Sequence, residues 1–471
     1  MAHFRIFGHY IHVPYAILGL LDFLVLLVSF YLSVFFRFFG DLSLLEQHWA
    51  AVLPSATFFS AANLVVMLSI GVHQSRLEEG MTGMMLRTIL GLILSLPLST
   101  MAYIAIPSSF WYLGGDSVLP SASVFGFFFL GITRTLFFIS VREASFRRKV
   151  LVLGAGERAR RLIEDLKGPV NRKGFELKGF VATGTEDELK VPENLILNIP
   201  VPLHAYALEH AIEEIVVAVD DRRKGLPMDD LLECKMKGVR ILDGASFYER
   251  ESRKVALEMI SPGWLVFSEG FNLSTVSGLG KRTIDILASC TLLLVTWPLM
   301  VLTVLAIKLE EGWSAPILYS QERVGLNGRA FKVLKFRSMR TDAEKGGAVW
   351  AKQNDTRVTK VGAFIRKVRI DELPQLFNVV RGDMAFVGPR PERPVFVDKL
   401  AQTIPFYHER HRVKPGLTGW AQLCFAYADN EEDSREKLRY DLYYIKNQSL
   451  LLDILIILQT VEVVLFKKGS R

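Results

Sequence analysis

An adjacent pair of acids, Asp371-Glu372, follows Arg366 and Arg369 and precedes Pro374 and the apolar run Leu376–Val380. Proline is favoured in a first helical turn, where its missing N–H is not needed, so the spacing puts both acids at a helix N-terminus. Free backbone donors and the helix dipole stabilise an anionic side chain or a bound phosphate there. An isolated Asp-Glu pair in that position is ordinarily a cap; the two preceding arginines argue for more. Ile317–Met339 reads as two strands turned at Asn327-Gly328, a dipeptide suited to positive φ. The period of two puts Lys335 and Arg337 on one face of the second strand, a pair that could hold a diphosphate. Gly388-Pro389-Arg390-Pro391-Glu392-Arg393-Pro394 confines its backbone with three prolines. It presents Arg390 and Arg393, whose planar guanidinium groups match phosphate oxygens in pairs.

These residue types together point to phosphoryl chemistry. A nucleophile reaches phosphorus after cations or metal neutralise the surrounding oxygens. Asp371, with an ordinary aspartate pKa of about 3.9, is ionised at neutral pH and needs no partner base. Glu372, turned toward the same pocket, could hold a Mg2+ that bridges a diphosphate. The bland alternatives are a solvated basic face and a proline turn without a ligand. The positive charge is local: residues 321–420 hold 20 Lys+Arg against 10 Asp+Glu, a net +10, while the whole chain is +7.

The elements that must carry this chemistry sit in a membrane protein. The chain has 471 residues, 50% hydrophobic, and a mean hydropathy of +0.26, with the apolar excess near the N-terminus. Four apolar stretches, Ala16–Phe36, Val52–Gly71, Met84–Ile106 and Val118–Ile139, read as transmembrane helices. Arg76 and Arg87 lie between the second and third, and Arg142, Arg147, Arg148 and Lys149 follow the fourth, whereas the other loops carry Arg37 alone. Both ends of the bundle are therefore expected in the cytoplasm. Asp22 and Arg134 fall near the ends of their stretches, where snorkelling to the interface is the expected reading. Cys234, Cys290 and Cys424 form no CxxC, and His408 and His411 lack an i,i+4 spacing, so reduced thiols and no structural zinc are expected.

Residues 146–265 read as a doubly wound α/β domain. The strand Lys149–Leu153 runs into Gly154-Ala155-Gly156-Glu157-Arg158-Ala159 and a helix to Leu166, with a second strand at Leu177–Ala182 and another at Ile215–Val219. The glycine pattern can seat a pyrophosphate or serve close helix packing. Glu176 precedes the second strand instead of ending it, which favours a structural or regulatory role over a catalytic dinucleotide site. Thr283–Ile307 is long enough to span but holds Trp297-Pro298 at its middle, and an internal proline costs a helix about 3 kcal/mol. A re-entrant helix kinked at Pro298 keeps the domains on either side of it in the cytosol; a plain fifth span is the alternative. Leu450–Phe466, with Asp453 and Glu462, reads as an interfacial or buried helix.

At these residues the chain resembles the bacterial polyprenyl-phosphate glycosyl-1-phosphate transferases, the monotopic phosphoglycosyl transferases that start exopolysaccharide and O-antigen repeat units. The likeness covers residues 277–471. It rests on Lys281-Arg282 with Asp285, on Pro298, and on Gln321–Gly325, Lys335–Met339, Asp371–Gln375, Gly388–Pro391, Lys414–Trp420 and Tyr440–Leu455. Trp264–Phe271 and Ala348–Asn354 resemble the exosortase-associated subgroup. The resemblance implies a four-helix transmembrane domain (1–145), a degenerate nucleotide-binding, Rossmann-like domain (146–265) and a monotopic α/β catalytic domain (277–471) with a re-entrant helix over about 283–307.

It also implies a two-step reaction. Asp371 would attack the sugar-linked phosphorus of a UDP-sugar, release UMP and carry an aspartyl phosphosugar, which undecaprenyl phosphate then takes. Glu372 would assist with Mg2+, and Arg366, Arg390 and Lys335 would hold phosphate oxygens. The usual Thr-Ser-Leu before the acidic pair is Val368-Arg369-Ile370 here. The implied location is the inner membrane, with the catalytic domain on the cytoplasmic face and no nucleic acid as partner. A large intramembrane and cytoplasmic surface makes a homodimer reasonable, while the sequence sets neither the oligomeric state nor the sugar. Two rivals remain: a membrane-anchored nucleotide-sugar dehydratase or epimerase, for which no Tyr-xxx-Lys pair is present, and a non-enzymatic polysaccharide-export scaffold, which leaves the acidic pair without a role.

Overall fold

The computed structural model describes residues 3–6, 9–39, 42–73, 80–105, 118–142, 147–166, 175–183, 188–221, 226–259, 270–271, 275–340, 357–425 and 430–466. Arg76, most of Trp264–Phe271 and the whole of Ala348–Asn354 lie outside them. The chain forms two compact units, Met1–Ile6 with Tyr10–Met259, and Phe7–His9 with Ile260–Arg471.

The first unit contains four long helices, α1 (Val13–Arg37), α2 (Leu42–Ser69), α3 (Gly80–Ala105) and α4 (Val118–Arg142). Apolar stretches long enough to cross a membrane run over Ala16–Arg37, Val52–Ser69 and Val118–Phe137, whereas the apolar stretch described in α3, Gly83–Pro97, is shorter. The helices close a ring in which α1 packs on α2 and α4, and α3 on the same two. Leu26, Phe30, Phe59, Met67, Leu92 and Leu130 fill its centre, while Leu20, Leu24, Val28, Phe128 and Leu136 face outward. Gly126 and Gly91 let neighbouring helices approach: a Cβ there would lie 3.1 Å from Leu26 and 3.0 Å from Met67.

The charges inside this bundle correct the snorkelling expectation. Asp22 and Arg134 are fully buried and face each other across α1 and α4. Arg134 donates Nη1 and Nη2 to the two Asp22 oxygens at 2.6 and 2.7 Å, and His73 Nε2 lies 2.7 Å from Asp22 Oδ2. A charge in hydrocarbon needs an opposite charge when no water is in reach, and a partner on another helix supplies it more completely than reaching for the interface.

A four-stranded parallel sheet follows in the same unit: β1 (Arg148–Leu153), β2 (Phe175–Val181), β3 (Glu214–Val217) and β4 (Arg240–Asp243), in the order β2-β1-β3-β4. Side chains alternate along β1. Val150 and Val152 join the cluster under α5 (Glu157–Leu166) and α8 (Gly244–Ser252), whereas Leu151 and Leu153 join the one under α6 (Leu203–Glu209) and α7 (Met228–Met236). Both faces are covered, as a parallel sheet requires. Glu176 lies within β2, one residue after its start, which corrects the expected strand boundary. At the base of the sheet, buried Glu214 receives both Arg148 and Arg250; burial would raise its carboxyl, but these guanidinium groups hold it below the usual range.

In the second unit the long helix α9 (Thr275–Glu311) leads to the hairpin β5 (Leu318–Val324) and β6 (Ala330–Phe336). Next come α10 (Lys360–Lys367), α11 (Gln375–Arg381), β7 (Ala385–Val387), α12 (Pro394–Thr403) and β8 (Gly416–Thr418), which pairs parallel with β7. The chain ends in α13 (Trp420–Cys424), α14 (Glu431–Lys446) and α15 (Leu450–Phe466). The close pairing of β7 and β8 explains two motif glycines: a Cβ on Gly388 would meet the Lys414 carbonyl at 2.4 Å, and one on Gly416 the Gly388 nitrogen at 2.0 Å.

Pro298 lies inside α9, whose stretch over Gly278–Glu311 is 11% buried. Each end of α9 is fixed to the unit. Arg282 donates to the carbonyls of Val379 and Val380, and Asp285 accepts the Phe386 N–H. At the other end Ile307 packs with Phe336, Ile365 and Ile370, and Glu310 accepts the first N–H groups of α10. Helix α15 is docked through Asp453, buried against Lys281 at 2.9 Å, so of the two readings of that segment the buried one holds for its first half.

The bundle pair gives a direct test. Asp22→Ala leaves Arg134 buried without a counter-charge and is expected to destabilise the detergent-solubilised protein by about 3–5 kcal/mol, whereas Asp22→Leu with Arg134→Met recovers most of the loss. Thermal unfolding of the single and double variants measures this, and a double variant no better than the single one contradicts the pairing.

Candidate active site

The hairpin places the first cation. Asn327 and Gly328 adopt φ of 53° and 77° at its turn, and the antiparallel register opposes Tyr319 to Lys335. Lys335 extends its ammonium to Glu372 Oε1 at 3.1 Å. Arg337 lies one residue past the strand, and its Nε donates to the Pro316 carbonyl at 3.0 Å. The expected Lys335–Arg337 clamp is thus divided: Lys335 joins the acids, and Arg337 fastens the open end of the hairpin.

The acids themselves sit in a 3₁₀ turn, Ile370–Glu372, between α10 and α11. Helix α10 starts on the Thr359 hydroxyl, which accepts the Gly362 N–H at 2.9 Å, and carries Arg366 in its last turn. The chain reverses at Arg369, which takes the left-handed conformation at φ 61° and ψ 17°. Pro374 follows in helical conformation at φ −61°, as its place in a first turn anticipates. Helix α11 is seven residues long. The acids thus stand just before the first turn of α11, and the cations acting on them are Lys335, Arg366, Arg369 and Arg390, all from outside that helix.

Buried Asn378 fixes the spacing between these elements. Its Oδ1 accepts the Leu334 N–H at 3.0 Å and its Nδ2 donates to the Lys332 carbonyl at 2.8 Å, tying α11 to β6 on either side of Val333. Sequence patterning missed it, because nothing in Leu376–Arg381 distinguishes a buried bridging amide from a solvated one.

Glu372 Oε1 is the point of convergence. Arg390 Nη2 reaches it at 2.8 Å from the proline-rich loop, opposite Lys335. Burial would raise the Glu372 carboxyl, but the charges of Arg390 and Lys335, the Arg390 hydrogen bond and the nearby Arg369 hold it well below the ordinary glutamate value. Asp371 behaves oppositely. Burial and then the adjacent Glu372 charge raise it, against the pull of Lys335, Arg366 and Arg390. The two neighbouring acids are driven apart, one fixed as an anion and the other made more basic. Arg393 stands at the start of α12, and its charge is felt at Arg323.

The donor set fits Mg2+. That ion is commonly held by one or two carboxylates together with substrate phosphates and water. Both hydrogen bonds to Glu372 fall on Oε1, so Oε2 and the Asp371 carboxylate are the oxygens that could hold it.

The glycine turn of the first unit is filled from within. Asp220 accepts the N–H groups of Glu157 and Arg158 at 2.9 and 2.8 Å, the donors that would otherwise face a pyrophosphate. A Cβ on Gly156 would meet Asp220 Oδ2 at 2.1 Å, so the glycine makes room for that carboxylate.

Fold and site together define a membrane protein whose C-terminal unit surrounds a carboxylate pair with cations from three separate elements. Residues 276–467 match the bacterial sugar transferase model, and the chain belongs to that family. It is 49% identical over 191 residues to the UDP-N-acetylgalactosamine-undecaprenyl-phosphate N-acetylgalactosaminephosphotransferase of Aeromonas hydrophila, covering 41% of this chain and 45% of that one. It is 34% identical over 331 residues to the undecaprenyl-phosphate glucose phosphotransferase of Komagataeibacter xylinus, 69% of this chain and 60% of the relative. The exopolysaccharide production protein PSS of Rhizobium leguminosarum is 40% identical over 190 residues, 38% of this chain and 92% of the relative. The first two matches thus span about half the length of those relatives. The second extends well before residue 276, so the likeness is wider than the family model.

The divided carboxylates make a prediction. In selectively carbon-13-labelled protein, the Asp371 carboxyl is expected to titrate above the ordinary aspartate value of about 3.9. In Glu372→Gln it titrates lower, because the like charge is gone and the cations remain. An unchanged or higher midpoint in the variant contradicts the electrostatic coupling.

Proposed function

We propose that this protein transfers a sugar 1-phosphate from a UDP-sugar to undecaprenyl phosphate, releasing UMP, at the cytoplasmic face of the inner membrane, and thereby begins an exopolysaccharide or O-antigen repeat unit. The observation that carries the reading is the convergence of Lys335 and Arg390 on one oxygen of Glu372, beside an aspartate whose basicity is raised.

In the first step an Asp371 carboxylate oxygen attacks the phosphorus bearing the sugar. An acyl-phosphate O–P bond forms, the P–O bond to UMP breaks, and UMP leaves with that electron pair. Raised basicity strengthens Asp371 as a nucleophile. Lys335, Arg366 and Arg390 draw negative charge off the phosphate oxygens, and Glu372 keeps Lys335 and Arg390 in place before substrate arrives. Mg2+ held by Glu372 and Asp371 would supply further charge neutralisation at the diphosphate. In the second step a phosphate oxygen of the lipid attacks the same phosphorus, and the carboxylate of Asp371 is regenerated. The names of the relatives support the donor and acceptor classes, and no feature favours the dehydratase, epimerase or scaffold readings.

The geometry of α9 supports a re-entrant placement. Asp285 and Ile307 both contact the C-terminal unit, although the straight helix between them would be roughly 33 Å long, about the thickness of the hydrocarbon core. A helix crossing perpendicular to the bilayer would carry these two positions to opposite faces, out of reach of one domain. The exposed Leu294, Val295, Trp297 and Leu302 around Pro298 are then the part that enters the lipid.

Two experiments test this reading. Asp371→Asn is expected to abolish UMP release from every member of a UDP-sugar panel, and wild-type protein given radiolabelled donor without lipid should retain a phosphosugar at Asp371; retained turnover in the variant contradicts the mechanism. Single cysteines placed at Gly278 and Gly312 should both react with a membrane-impermeant thiol reagent from the cytoplasmic side of inverted vesicles. Labelling from opposite sides means a plain span.

A further inference from the structure

The loop that presents Arg390 contains three prolines, so few of its own N–H groups can tie it to its surroundings. It is held through its carbonyls instead. Four consecutive ones each accept from a different place: Pro389 from the Gly416 N–H at 2.9 Å, Arg390 from Arg410 Nη2 at 3.1 Å, Pro391 from Arg323 Nη1 at 3.0 Å, and Glu392 from the Val324 N–H at 2.9 Å. Two of these donors are backbone groups of β5 and β8 or their ends. The other two are side chains, and Arg410 holds the carbonyl of the clamp residue itself.

Arg410 is 5% exposed and is fixed on three sides. Its Nη2 also donates to Asp441 Oδ2 at 2.8 Å, its Nη1 donates to the Tyr407 hydroxyl at 2.7 Å, and its guanidinium lies 5.1 Å from the centre of the Tyr407 ring. Asp441 comes from α14 and is 2% exposed. A buried ion pair contributes little net stability but is costly to break, and its best use is to fix one arrangement among several. Here the arrangement fixed is that of a carbonyl whose own side chain is the phosphate clamp.

We propose that Arg410, held by Asp441 and Tyr407, is a positioning residue that aims the Arg390 guanidinium at Glu372. As a device for turnover it rests on the reading of this site as the phosphosugar site. A displacement of about 1 Å in such a group costs up to about 10²-fold in rate. The pair acts through Arg390 and through no contact with substrate.

The test uses full-length protein in detergent with undecaprenyl phosphate and the UDP-sugar panel. Because Arg410→Met alone strands Asp441, it is made both singly and with Asp441→Asn, and folding is checked by thermal unfolding. Two readouts follow: the titration of a carbon-13-labelled Glu372 carboxyl, and UMP release. In a folded variant the Glu372 midpoint should rise, as it should in Arg390→Ala, and adding Arg410→Met to Arg390→Ala should raise it no further. UMP release should fall by about 10²-fold in kcat, change by no more than about twofold when Arg390 is already absent, and recover in part in Arg410→Lys. An unmoved Glu372 titration in a folded variant, or a loss that multiplies fully with Arg390→Ala, overturns the proposal. A shifted titration in a protein whose wild type releases no UMP supports the positioning and overturns the donor assignment, so the two failures are distinct.

Discussion

The arrangement of the C-terminal unit depends on a single carboxylate oxygen receiving two cations. Glu372 Oε1 accepts Lys335 from a β-hairpin and Arg390 from a proline-rich loop. A carboxylate this enclosed is tolerable because both charges are supplied at hydrogen-bonding distance. The consequence passes to Asp371. With Glu372 locked as an anion beside it, the second acid is pushed toward higher basicity, and two adjacent residues of similar chemistry acquire different parts to play.

Around that point the fold is a set of devices for holding distances. Asn378 keeps α11 at a fixed spacing from the strand that carries Lys335. Arg369, in the left-handed conformation, turns the chain so that the acids face inward. Glycines 388 and 416 allow β7 and β8 to approach until backbone meets backbone, which seats the start of the arginine loop. Both ends of α9 are bonded to the same unit, so the apolar helix and the charged site form one body. The proposed transfer from a water-soluble donor to a lipid acceptor would need that connection.

The first unit reaches a comparable solution with a different purpose. In the bundle, Asp22, Arg134 and His73 satisfy one another where no water can. In the α/β domain, Asp220 occupies the donors of the glycine turn, so a motif that elsewhere receives phosphate is here closed by the chain's own carboxylate. That closure accords with a structural role for the turn.

Local and periodic features were legible in the sequence. Long apolar runs marked the long helices, short apolar runs and a glycine turn marked the parallel strands, and Asn327-Gly328 marked the hairpin, because each depends on interactions within a few residues. Positions 335, 371, 372 and 390 were equally legible by residue type, and the structure brings their side chains together. What tertiary structure alone decided is which of these meet. Arg337, one strand period from Lys335, is drawn to a backbone carbonyl; Arg410, in a segment that resembles a solvated basic turn, is buried behind the loop; and Asp22 finds Arg134 more than a hundred residues away. Pairing of charges is set by distance and dielectric in three dimensions, and neither quantity is encoded in the spacing of residues along the chain.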